Sequence, residues 1–285
     1  MFCDWDNDSD DLLRRLKYQT EGFQGNDYKG INFVSDNSYT HAVVFNFPTQ
    51  DLNSPPQNNI ALLLEPPELI KTMWKEQSKH KYTNVRQIFS FASDSYETAY
   101  GMGFSTVPKL EYTPLMDKPP KMCMICSDKL LTPYHQKRRD IMKALLKTDF
   151  PIDFYGRGMS GSDPRIKGEI PGMKKYEVLD KYMICIDFEN SPHSVVTDKF
   201  FDPVLCNTLP VSNAAVLHTM VDLDSFFFVS FDLPVGDIID SIGEILEVPI
   251  NEGHAEALLD AKREIMSGNM CLAEWIFRRM REIGE

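Results

Sequence analysis

The chain has 285 residues, which at about 150 residues per domain makes roughly two compact units or one large one. Its composition, 42% hydrophobic, 11% aromatic and 25% charged, excludes disordered, collagen-like and disulfide-scaffold classes. With 30 Lys and Arg against 42 Asp and Glu the net charge is −12, a field that argues against general binding to nucleic acid or anionic membrane and requires any anion to be met by a local basic pocket.

No run approaches the ~18 apolar residues of a membrane span, and the start Met1-Phe2-Cys3-Asp4-Trp5-Asp6 lacks the basic and apolar regions of a signal peptide, so a cytoplasmic protein is expected. Cys3, Cys123, Cys126, Cys185, Cys206 and Cys271 are scattered, mostly in apolar runs, and read as small buried hydrophobes in a reducing compartment. Cys123-Met124-Ile125-Cys126 has redox or half-zinc spacing, but no second pair or clustered histidine follows, and a core strand is the better reading.

Up to about residue 40 the chain is polar and reads as a partly irregular lead-in with one helix around Asp11–Tyr18. Asp4–Asp8 has carboxylates at alternate positions, but a calcium loop needs Gly and Glu where Ser9 and Arg15 stand, which leaves a solvated acidic tail. Strand-length apolar bursts at Ala42–Phe47, Ile60–Leu64 and Ile88–Ala92, with helix-like Pro67–Gln77 between them, suggest a first βα domain. Pro108–Lys121, punctuated by four prolines, reads as a linker and places a boundary near residue 120.

Beyond it the alternation is cleaner. Strands are expected at Met122–Cys126, Ile152–Tyr155, Met183–Phe188, Leu209–Val211 and Phe226–Phe231, and helices at Tyr134–Lys147, Lys174–Lys181, Thr197–Cys206 and Gly236–Leu246. Such βα alternation implies a mostly parallel sheet covered on both faces, with Phe226-Phe227-Phe228 as a buried strand. A helical tract, Gly253–Ile283, is long enough to cross back to the first domain.

Ligands of doubly wound sheets bind beyond the carboxyl ends of strands, so the turns there are the candidates. Gly156-Arg157-Gly158-Met159-Ser160-Gly161 is formally a dinucleotide fingerprint, but a loop with Pro164, Gly168 and Pro171 follows instead of a helix, and a Rossmann cofactor is rejected. Glu189-Asn190-Ser191 leads to Thr197-Asp198-Lys199, where Thr197 can cap a helix whose positive end and Lys199 suit a phosphate; Pro203 then bends that helix or delays its regular part. Lys137-Arg138-Arg139 opens another helix, either as an anion site or as a solvated face, and His135 reads as surface. Glu65, after strand Ile60–Leu64, stands where a catalytic acid or base or a solvated strand-end carboxylate would be. Tyr155 and Arg157 either line a cleft or shape the turn, and His193 reads as an exposed loop residue.

Together these segments resemble the α1,3-fucosyltransferase family, glycosyltransferase family ten. Phe188-Glu189-Asn190-Ser191, Val196-Thr197-Asp198-Lys199-Phe200 and Asn207-Thr208-Leu209-Pro210-Val211 resemble its F-E-N-S, Y-V-T-E-K-[LF] and G-[TC]-[VI]-P-V signature. Cys126-Ser127-Asp128, Arg138 and Asp153-Phe154-Tyr155-Gly156-Arg157 resemble the upstream S-N, R and I-D-x-Y-G-R in the same order. The resemblance covers residues 122–246 and touches the first part of the chain through Glu65-Pro66-Pro67 and Asp94–Gly101.

It implies an α/β, GT-B-like fold: two Rossmann-like domains facing a cleft, an acceptor domain over residues 1–120, a donor domain over 121–252 and a C-terminal segment, 253–285, crossing back. It implies an inverting glycosyltransferase that moves a sugar from a nucleotide-sugar donor to a hydroxyl of an oligosaccharide or glycoprotein glycan. Carried over, Arg138 and Lys199 neutralise the leaving diphosphate, Asn190 and Asp198 bind donor sugar or ribose, and Glu65 is the base on the acceptor hydroxyl; Glu189, Thr197 and Tyr155 join the donor site. No metal or other cofactor is required, since two cations and a helix end can meet the diphosphate charge. Three departures, Val195 for the family's Tyr, Asp198 for its Glu and a shorter loop, fall on the donor pocket. The sugar therefore stays open between fucose from GDP-fucose and another such as xylose from UDP-xylose, with a catalytically silent sugar-nucleotide or glycan-binding module as the non-enzymatic alternative.

Overall fold

A computed structural model describes residues 2–3, 9–45, 52–63, 87–90, 97–98, 107, 111–170, 174–191 and 196–284. The chain divides into two compact units, Met1–Phe104 with Glu264–Glu285, and Ser105–Arg263. Glu65, Pro67–Gln77, His193, Val195 and the acidic run Asp4–Asp8 lie outside the described residues.

The first unit holds a parallel sheet of β1 (Phe2–Cys3), β4 (Ala42–Phe45), β5 (Asn59–Leu63), β6 (Gln87–Ser90) and β7 (Glu97–Thr98), in that spatial order. β4 and β5 are buried along their whole length, as near-continuous apolar runs are when a parallel sheet is covered on both faces. The lead-in is more ordered than its polarity suggests. Phe2 and Cys3 pair with Val44 and Phe45, and helix α1 (Ser9–Tyr18) buries Leu12, Leu13 and Leu16 at helical spacing. A short hairpin, β2 (Asp27–Tyr28) with β3 (Ile31–Asn32), places Tyr28 so that its hydroxyl donates to Glu274 at 3.0 Å. Glu274 belongs to the last helix, and the C-terminal segment is thereby part of the first unit.

The second unit is built on a six-stranded parallel sheet: β8 (Met122–Ile125), β9 (Ile152–Tyr155), β10 (Ile166–Gly168), β11 (Ile184–Ile186), β12 (Leu209–Ser212) and β13 (Phe227–Phe228). Its spatial order, β10-β9-β8-β11-β12-β13, is doubly wound: the chain runs outward from β8 to one edge, then returns and runs outward from β11 to the other. The topological switch point therefore lies between β8 and β11, paired as Ile184↔Met122, Cys185↔Cys123 and Ile186↔Met124. Cys123 and Cys126 are buried free thiols, as an apolar strand requires. The aromatic run departs from expectation: Phe226 is buried, but Phe228 is 37% exposed, because β13 is an edge strand with a neighbour on one side only.

Among the described residues of this unit the α-helices are α2 (Pro133–Leu145), α3 (Lys175–Leu179), α4 (Asp198–Leu205), α5 (Val235–Leu246) and α6 (Glu252–Met266), the last extending into the C-terminal segment, which ends in α7 (Leu272–Gly284). α2 and α5 pack together, burying Ile141 and Leu145 against Ile238, Ile242 and Ile245. Pro203 sits inside α4 without ending it; the helix is short, and Cys206 N–H still reaches Asp202 O at 3.0 Å. The described part of the proline-punctuated stretch, 111–121, is anchored in this unit by the buried Lys118, which donates to Leu179 O, Cys206 O and Thr208 Oγ1 at 3.0, 2.7 and 2.8 Å.

The first two glycines of the formal fingerprint have steric reasons. A Cβ on Gly156, at φ +154°, would stand 1.7 Å from Cys126 O, and one on Gly158, at φ +72°, would stand 2.2 Å from the Asp128 carboxylate. The turn after β9 thus lies directly against the turn after β8, held by Asp128 N–H to Arg157 O at 3.1 Å.

Candidate active site

At the carboxyl end of β11 the chain continues as Asp187, Phe188, Glu189, Asn190 and Ser191. The carboxyl end of β8 leads to α2, whose N-cap Thr132 accepts from His135 N–H at 3.2 Å and donates from its own hydroxyl to Asn190 O at 3.1 Å. That bond ties the two strand ends together across the switch point. Arg138, in the second turn of α2 and only 5% exposed, completes the tie: its Nη1 donates to Asn190 Oδ1, and its Nη2 to Ile125 O at 3.0 Å and Asp187 Oδ1 at 3.1 Å. Arg138 Nε is buried without a hydrogen-bond partner among the described residues.

From Asp187 the network runs on. Its other oxygen takes Lys175 Nζ at 2.8 Å, and Lys175 reaches Asp198 Oδ2 at 3.0 Å and Asp202 Oδ2 at 3.5 Å on α4. Burial alone would push the Lys175 ammonium down, but Asp187, Asp198 and Asp202 outweigh it and hold the group well above its ordinary value. Asp198 also loses by burial, yet Lys175 and then Lys199 hold it far below the usual carboxylate range. Lys199 lies 3.1 Å from Thr197 Oγ1, 3.5 Å from Asp198 and 3.8 Å from Glu189; burial opposes its charge, and Asp198 and Glu189 raise it above the ordinary lysine value.

Glu189 is enclosed beneath this cluster and accepts Thr197 N–H at 2.8 Å and the Thr197 hydroxyl at 2.9 Å. Burial pushes its carboxyl up, with Lys199 partly offsetting the effect. Thr197 caps α4 by accepting Lys199 N–H at 3.3 Å. The start of α4 is consequently already engaged by Thr197 and Glu189, and what it presents to a ligand is its positive dipole end and the Lys199 side chain. At the far end of α4, Lys118 and Lys262 cover the last carbonyls; Lys262 donates to Leu205 O and Asn207 Oδ1, both at 2.9 Å. The carbonyls after α2 are covered likewise by Arg165, at 2.7 Å to Leu146 O and 2.8 Å to Thr148 O. Each helix bearing a site cation is thus pinned at its C-terminal end by another cation.

Arg138, Glu189, Asn190, Thr197, Asp198 and Lys199 therefore meet in one cluster. Tyr155 stands apart from it: its hydroxyl bonds Tyr182 at 2.9 Å, and Tyr182 donates to Asp153 at 2.7 Å. Histidine 135 is 3% exposed, not at the surface, because Thr132 holds its Nδ1 at 2.7 Å under the cluster; burial, aided by Arg138, Lys199 and Lys129, pushes it down to about 4.

Lys175, Asp187 and Asp202 escaped the sequence reading. Their signals were present: one carboxylate, Asp187, in an otherwise apolar strand, and two, Asp198 and Asp202, four apart on one helix, where like charges repel unless a cation sits between them. Among the described residues, no group of three or more His, Cys, Asp or Glu side chains is arranged to hold a metal ion, and no helix is long and apolar enough to cross a membrane.

Residues 115–232 match the family model described as glycosyltransferase family 10 (fucosyltransferase) C-term, a range that contains the whole cluster. Among solved structures, an α-glucosyltransferase in complex with UDP and a 13-mer DNA is similar at 11% identity and a TM-score of 0.57, over 86% of this chain and 81% of that one. The α-glucosyltransferase in complex with UDP alone gives 11% and 0.56 over 86% and 82%. An α1,3-fucosyltransferase with GDP gives 16% and 0.49 over 87% and 80%. No curated protein matches the sequence. The α/β architecture is GT-B-like, and the match to the family 10 C-terminal domain over residues 115–232, the part that holds the cluster, marks the chain as a glycosyltransferase.

Proposed function

We propose that the chain is an inverting glycosyltransferase that binds a nucleotide-sugar donor at the switch point of its second unit and transfers the sugar to a glycan hydroxyl. The observation that carries this reading is the convergence of Arg138, Lys199 and the N-terminal end of α4 beyond the carboxyl ends of β8 and β11. In a net-acidic protein these two cations and the helix end are the positive groups that an anionic donor would meet.

In the reaction the acceptor oxygen forms a bond to the anomeric carbon as the bond from that carbon to the diphosphate oxygen breaks. The electron pair leaves with the diphosphate, where Lys199, Arg138 and the helix end meet the growing charge. Asn190, oriented by Arg138, and the half-buried Asp198 face the donor sugar or ribose, with Thr197 and Glu189 fixing the helix start. Tyr155 contributes to the donor unit through its turn. The acceptor proton passes to Glu65, a role that rests on the resemblance of Glu65-Pro66-Pro67. On this reading residues 1–120 serve the acceptor, 121–252 the donor, and 253–285 return to the first part; no metal or other cofactor is required, and the buried free thiols support a cytoplasmic enzyme.

GDP-fucose is the first donor expected from the family. A UDP sugar such as UDP-xylose is the second, favoured by Val195 and by Asp198, whose carboxylate is held by Lys175. A thermal-shift series with GDP, UDP, GDP-fucose, UDP-xylose, UDP-glucose and UDP-galactose tests both, because a ligand of the folded state raises the melting temperature. Stabilisation by the guanosine pair supports fucosyl transfer, stabilisation by a uridine nucleotide supports the second donor, and no shift with any of the six overturns the donor site.

A further inference from the structure

We propose that Lys175 is a positioning residue of the donor site, a tether that fixes the start of α4 to the end of β11 and so sets Lys199 and Arg138 around the same diphosphate. The inference rests on the donor-site reading above and adds a residue to it.

An ammonium has three hydrogens. Lys175 faces one carboxylate oxygen each from Asp187, Asp198 and Asp202, at 2.8, 3.0 and 3.5 Å, with Asp198 O at 3.3 Å as well, and its side chain is 11% exposed. Its hydrogens are spent on protein acceptors, so it does not serve as a direct phosphate ligand. What it joins is informative. Asp187 follows β11 and holds Arg138 through its other oxygen, while Asp198 and Asp202 are successive turns of α4, with Lys199 next to Asp198. One buried cation thus links the anchor of each proposed diphosphate cation to the other.

Charge balance makes the tether necessary. Arg138, Lys175 and Lys199 share the cluster with Asp187, Glu189, Asp198 and Asp202, one carboxylate more than cations. Because Lys175 takes up three of those carboxylates, Lys199 is left facing Asp198 at 3.5 Å and Glu189 at 3.8 Å, beyond a close ion pair with either. Without Lys175, Asp187 would confront Asp198 and Asp202 across a buried gap, and the first turn of α4 would move away with Lys199.

Two variants separate position from charge. Lys175→Met with Asp202→Asn removes one cation and one carboxylate, so the net charge of the cluster is unchanged while the tether is lost. Asp187→Asn keeps every cation and removes a carboxylate, so an electrostatic role alone predicts tighter anion binding and a positioning role predicts weaker binding. Binding of GDP and UDP is measured by titration calorimetry on the full chain, with folding checked by the melting transition. For whichever nucleotide binds the unaltered chain, the proposal expects affinity about tenfold weaker in the double variant and weaker in Asp187→Asn, with Lys175→Arg within about threefold. Unchanged affinity in the folded double variant, or tighter binding in Asp187→Asn, overturns the proposal, and the latter decides alone if the double variant does not fold. An unaltered chain that binds neither nucleotide overturns the donor-site reading itself.

Discussion

Arg138 and Asp187 form an ion pair at 3.1 Å with side chains 6% and 3% exposed, joining the helix after β8 to the strand end after β11. Such a pair is costly to break and of little net worth against an apolar replacement, because removal of one partner strands the other charge away from water. Arg138→Met is therefore expected to destabilise the second unit by about 3–5 kcal/mol. Adding Asp187→Asn should recover part of that loss, with a coupling of about 1 kcal/mol or more between the sites. Urea unfolding of the four-member cycle measures it, and additive single losses would refute the coupling.

Lys199 and Glu65 should fail differently. Lys199→Ala removes the charge beside the proposed diphosphate and should weaken nucleotide binding by about tenfold or more, a charge-assisted contact being worth about 1.5–3 kcal/mol. Glu65→Gln should abolish turnover and leave nucleotide affinity nearly intact, because a base on the acceptor contributes after the donor is bound. Titration with the preferred nucleotide, run beside a hydrolysis and transfer assay, separates the two; turnover retained in Glu65→Gln would remove it from the role of base.

His135 gives the second unit an acid sensitivity. The unfolded chain protonates this ring near 6.5, whereas burial delays the folded state to about 4. Between those values the unfolded state holds more protons, so stability falls as pH falls, by up to about 3 kcal/mol across the window. His135→Gln should flatten that dependence and leave stability at neutral pH less affected than at acid pH. Denaturation midpoints from neutral pH to about pH 4 report the slope, and parallel curves for the two proteins would exclude His135 as its source.

Two glycines bracket the tolerance of the fold. Gly156→Ala would drive a methyl into Cys126 O, 1.7 Å from the built Cβ, and is expected to prevent native packing of the turns after β8 and β9. Gly236 in the first turn of α5 has nothing within 4 Å, so Gly236→Ala should raise stability by about 0.4–1 kcal/mol. Melting temperatures of the two variants test the contrast.

The sequence by itself determined the doubly wound second unit, because strand-length apolar runs alternating with amphipathic helices leave few other arrangements; Ile152–Tyr155 falls on β9 residue for residue, and Thr197 caps α4 as its hydroxyl allows. It also determined which side chains to examine, since Arg138, Asn190 and Lys199 stand in the turns and helix starts that follow strands. Tertiary structure decided which of them share a site. Lys175 and Asp187 are distant from Arg138 in the chain and gain meaning only when β8 and β11 become neighbours, since a charge can be kept out of water only where folding supplies its partner. The same holds for His135, whose surface reading failed because no local pattern reveals that its capping partner Thr132 will be tied to Asn190 under the cluster. Exposure at β13 likewise followed from strand order, which decides whether an aromatic run lies at a covered centre or an open edge.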